Sequence, residues 1–110
     1  MLTESLLFTF PDASVAEGNR LASSLADALQ DMDPNIVVDR QRERADTQDF
    51  GATLAVILGT AAVTAVAKGI AAWLARNSGA RIEIRRKGEL VLLATHLDSH
   101  DVSRIAEALT

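Results

Sequence analysis

ATLAVILGTAAVTAVAKGIAAWLAR, residues 52–76, is the stretch on which the architecture turns. No charged residue occurs from Ala52 through Ala67, and Lys68 is the only one before Arg76. Alanine and leucine favour a helix, while Val56, Ile57, Val63, Thr64 and Val66 weaken that preference without abolishing it, because packing usually outweighs propensity. The pattern predicts one long helix over Ala52–Arg76. On it, Leu54, Ile57, Leu58, Ala61 and Ala65 face one neighbour, and Val56, Val63, Val66, Ile70 and Trp73 face another. A helix with so little polar surface is too hydrophobic to lie on a monomer with one face in water. Either the other elements wrap it or another protein surface covers what remains. Small residues at Gly59, Ala62, Ala67, Gly69, Ala71 and Ala72 permit close backbone approach.

A membrane span is the competing reading of the same stretch. The uncharged window from Gly51 to Ala67 is slightly short for a bilayer, and Lys68 falls inside any span extended to Trp73 and Leu74. Threonines and alanines also make it weakly hydrophobic. A buried or interface helix is therefore preferred.

Upstream, Leu6 to Phe10 alternates as a strand, with Leu6, Phe8 and Phe10 on one side, and Pro11-Asp12 ends it. Ser14 and Glu17 have capping-box spacing ahead of a helix from about Val15 to Leu29, whose apolar stripe is Ala22, Leu25, Ala26 and Leu29. Asp31-Met32-Asp33-Pro34-Asn35 reads as a turn into a short strand, Ile36 to Arg40. Residues 41–50 lack an apolar period and read as an exposed connector.

Downstream, Asn77-Ser78-Gly79 stops the helix. Ile82 and Ile84 alternate with Arg81, Glu83 and Arg85, and Lys87-Gly88-Glu89 turns the chain into Leu90 to Thr95, which predicts a hairpin. Because Leu90, Val91, Leu92 and Leu93 are consecutive, this second hairpin strand is expected inside the sheet and not at its edge. Asp98 is placed to cap a last helix, with Asp101 in its first turn and Val102, Ile105, Ala106 and Leu109 as its stripe. The expected fold is α+β: a four-stranded mixed sheet with helices mainly on one face, in the order β-α-β-α-β-β-α. The first strand, helix and second strand are expected to form a right-handed parallel unit. Such a layer resembles a ferredoxin-like one without its usual element order.

The 110 residues suit one domain. With no cysteine the chain must hold together by packing alone, which fits the reducing cytoplasm. The opening Met1-Leu2-Thr3-Glu4-Ser5 lacks the basic start and apolar core of a secretory signal. A net charge of -4 weighs against phosphate-driven nucleic-acid binding. The charge is uneven: Asp12, Glu17, Asp27, Asp31 and Asp33 make the first third acidic, whereas Arg76, Arg81, Arg85, Arg86 and Lys87 crowd a later stretch.

Chemistry is sparse. His96 and His100, with Asp98 and Asp101 nearby, could hold a metal weakly, but a strand end and a helix start separate the imidazoles, so a capped loop is the commoner meaning of the pattern. Ser99 beside His100 specifies neither a positioned base nor oxyanion donors. Ser14, Ser23 and Ser24 read as capping or helix-surface residues. Gly51, Gly59 and Gly69 are scattered and make no phosphate loop. No catalytic, cofactor-binding or metal residue is assigned, and no cofactor is expected. The candidate interaction residues are Arg81, Arg85, Arg86 and Lys87, which suit an acidic protein surface better than a nucleic acid, since no aromatic platform accompanies them. Trp73 is added as a candidate, with a core anchor as its commoner role.

Several stretches together resemble a known family: Leu6-Leu7-Phe8-Thr9-Phe10-Pro11-Asp12, Ala26-Asp27-Ala28-Leu29, the run from Gly51, Ile70-Ala71-Ala72-Trp73-Leu74, Arg81-Ile82-Glu83-Ile84-Arg85 and Gly88-Glu89-Leu90. Their order is similar to the bacterial effector-associated constant component family, most nearly its first class, over nearly the whole chain. The resemblance implies a small invariant component of a bacterial conflict system, encoded beside variable effector or protease modules and acting as an adaptor in defence or regulated cell death. It also implies that the Trp73 helix and the Gly88 hairpin are architectural. The resulting expectation is a non-enzymatic, cytoplasmic adaptor that contacts an effector, a protease or another copy of itself. The alternative is a small membrane-associated component using residues 51–74.

Overall fold

The computed structural model describes residues 4–41, 53–58 and 63–110. Most of the predicted connector, residues 42–50, lies outside the described residues, as do the expected helical contacts at Gly59, Ala61 and Ala62. The elements are β1 (Glu4–Thr9), α1 (Val15–Met32), β2 (Val37–Gln41), β3 (Thr53–Leu58), α2 (Val63–Arg76), β4 (Ile82–Arg86), β5 (Glu89–Ala94), a 3₁₀ turn (His96–His100) and α3 (Val102–Leu109).

The predicted long helix is two elements. Its first part is the strand β3, and only Val63–Arg76 is helical. The sheet therefore has five strands in the order β2-β3-β1-β4-β5, every neighbouring pair antiparallel, which corrects the four-stranded mixed sheet and the order β-α-β-α-β-β-α. The physical reason lies in β3's position: it bonds to β1 on one side and β2 on the other, and an interior strand reads as a short continuous apolar run. Period alone cannot separate such a run from a buried helix.

β1 and β2 both run antiparallel to β3 and so parallel to each other, with β3 between them. By the same logic β3 and β4 flank β1. Two interlocked split β-α-β units in the order β-α-β-β-α-β make a ferredoxin-like core, whose element order is thus present after all, with β5 added outside β4.

One sheet face meets the helices. Leu6, Phe8, Leu54, Val56, Ile82, Ile84, Leu92 and Ala94 form a single core with Leu25 and Leu29 of α1, Ile70 and Leu74 of α2, and Ile105 and Leu109 of α3. α2 lies in the middle of the helix layer, packed on α1, on α3 and on the 3₁₀ turn. Its exposed positions reduce to Thr64, Lys68, Ala72, Ala75 and Arg76, a narrow stripe at helical spacing. This is how a helix so poor in charge is kept from water. Among the described residues no helix is long and apolar enough to cross a membrane.

The ends of the elements follow local chemistry. Ser14 caps α1 by accepting from Glu17 N–H at 3.2 Å, and the helix runs to Met32, one turn beyond the expected Leu29. Lys87 and Gly88 both have positive φ, 54° and 83°, as a two-residue hairpin turn of the right twist requires. The last helix begins later than expected: Asp101, and not Asp98, caps it by accepting from Arg104 N–H at 3.0 Å. Asp98 instead holds the preceding 3₁₀ turn by accepting from Thr95 N–H at 2.9 Å.

Candidate interaction surface

The sheet face opposite the helices is built by alternation. Since the residues facing the core are fixed, the registers place Asp39, Ala55, Leu7, Arg85 and Leu90 in one row across all five strands, with Thr9, Glu83 and Leu93 in a second row over β1, β4 and β5. Leu7, Thr9, Glu83 and Arg85 are partly exposed, and Val37, Asp39, Leu90 and Leu93 are exposed. Arg85 donates to Glu83 Oε1 at 3.0 Å along the strand, so the middle of this face carries one compensated ion pair flanked by aliphatic side chains. An apolar surface with a few fixed polar groups suits protein contact more than chemistry.

The five candidate interaction residues do not converge. Trp73 is wholly buried: its Nε1 donates to Ser24 Oγ at 2.9 Å, and its ring lies 6.0 Å from that of Phe10 at 53°. As an interface residue it is ruled out by that burial, because the ring offers no surface to a partner; it is an anchor between α1, α2 and β1. Arg81 donates to Asp12 Oδ2 at 2.9 Å across the mouth of a groove. Arg85 points to the open sheet face. Arg86 turns the other way and donates to the carbonyl of Thr110 at 3.0 Å and to that of Leu109, where a cation meets the otherwise unpaired acceptors at the end of α3. Lys87 projects from the hairpin tip, exposed. The basic run is thus dispersed over four places, and three of its four cations have intramolecular acceptors.

The groove beside Arg81 has a volume of about 370 Å³ and runs between the end of β1, the start of α1 and the α2–β4 turn. Phe10, Leu21 and Ala80 line it together with the ion pairs Asp12–Arg81 and Glu17–Arg20. Its charges are already matched within the chain.

At the histidines, His96 Nδ1 is 3.0 Å from the Leu74 carbonyl, and the two rings meet edge to face with centroids 6.2 Å apart. Asp98 is engaged by Thr95 N–H and lies 3.8 Å from Arg104 Nε. Among the described residues no three histidine, aspartate or glutamate side chains gather as metal ligands.

Sequence reasoning missed Ser24, read as a helix-surface hydroxyl and in fact the acceptor for Trp73. Partner identity 49 residues away leaves no local signal. It also placed β5 inside the sheet, whereas β5 is an edge strand bonded only to β4 among the described residues. The register shift between Ile84 and Arg85 opposite Val91 explains the misreading, because this bulge puts Leu90 and Leu93 on the same open face although they are three residues apart.

A family model described as Effector Associated Constant Component 1 matches residues 13–110. The matched span begins after β1, so Leu6–Asp12 lies outside it. No curated protein and no solved structure matches the chain.

Proposed function

The chain belongs to the Effector Associated Constant Component 1 family, and from that premise we propose that it is a non-enzymatic adaptor of a bacterial conflict or defence system, coupling to an effector or protease through its open sheet face. The family's association with effectors supports a coupling role in a bacterial system. One observation carries the choice of surface: among the described residues the helices cover one side of the sheet only, leaving Leu7, Arg85, Leu90 and Leu93 presented on a five-stranded platform. The setting proposed is the cytoplasm, where a cysteine-free chain has nothing to lose from reducing conditions. The membrane-associated alternative rested on a continuous helix over residues 51–74, and β3 removes that helix.

The test is native affinity purification followed by mass measurement of the intact complex, using wild type, Arg85→Glu and Leu7→Arg. Wild type should hold the partner and both variants should release it while melting near the wild-type temperature. Retention of the partner by both folded variants would remove the sheet face from the proposal, and turnover of a substrate by the isolated chain would remove the adaptor reading.

A further inference from the structure

We propose that β5 pairs with β5 of a second copy, antiparallel about a two-fold axis, joining two sheets into one of ten strands. The observation behind it is a mismatch between sequence and place. Glu89-Leu90-Val91-Leu92-Leu93-Ala94 has the composition of an interior strand, apolar on both faces, yet it stands at the edge. β2, the opposite edge, carries Asp39 and Arg40 among its five residues, the usual way of discouraging further pairing. β5 has no proline, its single charge, Glu89, lies at its end, and the bulge at Val91 is the one edge-blunting feature along it.

Apart from β4, no described residue makes a backbone hydrogen bond to β5. On either side of the Val91 bulge its outward N–H and C=O groups are therefore left to water, and another extended chain would pair them as a row. Leu90 is 50% and Leu93 36% exposed, both on the open face beside that edge. A strand of the same sequence is a fitting occupant: antiparallel pairing about a two-fold sets apolar residues against apolar residues and keeps the two Glu89 carboxylates at opposite ends of the joint. A six-residue strand pair is a small interface, of the class below about 1,200 Å² that associates reversibly.

The proposal is independent of the effector. Sedimentation velocity from about 1 μM to about 500 μM should show the mass rising from 11.7 kDa toward twice that value. Hydrogen exchange at the two ends of the range should show protection gained at alternate amides of β5. Leu90→Lys and Leu93→Lys, each at an exposed position, should weaken association by about 10-fold or more with an unchanged far-ultraviolet spectrum. A strict monomer throughout would overturn the proposal. So would association that leaves the β5 amides unprotected, which is the signature of face-to-face packing of the sheets. Effector binding by a monomer would leave the adaptor reading standing while this one fell.

Discussion

The indole Nε1 of Trp73 donates to Ser24 Oγ at 2.9 Å, tying α2 to α1 through a ring that is itself fully buried. The pair links residues 49 positions apart and explains why the largest side chain of the chain sits in the middle of the helix layer. A buried indole N–H without an acceptor is costly, so the hydroxyl matters more than its place near the surface suggests. Ser24→Ala is expected to lower unfolding stability by about 1 kcal/mol. Because Trp73 is the only tryptophan, urea unfolding followed by its fluorescence reads this site directly. An unchanged midpoint would show that water replaces the hydroxyl without loss.

Gly69 lies at the packing contact between α1 and α2. A β-carbon there would stand 2.7 Å from Leu29 Cδ2, and Leu29 is itself fully buried. Gly69→Val is therefore expected to cost about 1–3 kcal/mol through overpacking. Combining it with Leu29→Ala should cost less than the two single changes added together, since each relieves the other's defect. Strict additivity in a denaturation cycle would show that the crossing has room to spare.

Arg86 and Arg81 are neighbours in sequence but not in role. Arg86 serves the carbonyls at the end of α3, whereas Arg81 pairs with Asp12 in solvent. Arg86→Met should destabilise by about 1–2 kcal/mol, and Arg81→Met by no more than about 1 kcal/mol. Parallel thermal melts decide the matter, and equal shifts would erase the distinction.

Core and surface should separate cleanly. Leu25 and Leu92 belong to the buried cluster, so Leu25→Ala and Leu92→Ala should each cost about 2–5 kcal/mol. Arg85 and Glu83 form a pair whose side chains are 39% and 27% exposed, so Arg85→Glu should change stability by no more than about 1 kcal/mol while altering partner binding. Similar unfolding losses for all three would contradict that partition.

Much of the local structure was legible without coordinates. Ser14 and Glu17 marked the start of α1, Pro11-Asp12 marked a turn, the expected turn over Asp31–Asn35 holds only from Asp33 because α1 takes Asp31 and Met32, and Lys87-Gly88 marked the hairpin, each through short-range geometry that the named residues set by themselves. The apolar positions of α1 and α3 followed from helical spacing: Ala22, Leu25, Ala26 and Leu29 are buried, whereas on α3 Ile105 and Leu109 are buried and Val102 and Ala106 only partly so. The basic run was visible too, but not its dispersal, because the direction of a side chain at a strand end depends on which element lies beneath it. Arg86 reaches α3 and Arg81 reaches Asp12, 69 residues away.

By itself the sequence determined that the apolar residues of Leu54–Val56 and Val66–Leu74 need cover from water, that no thiol chemistry is available, and where the chain turns. Tertiary structure alone decided that Thr53–Leu58 is a strand, that β1 lies between β3 and β4, and that β5 ends the sheet. The reason is the range of the forces involved. Burial preference belongs to each side chain, but a strand exists only through hydrogen bonds to strands elsewhere in the chain. An apolar run that makes a passable helix in isolation becomes β3 once β1 and β2 offer it partners on both sides.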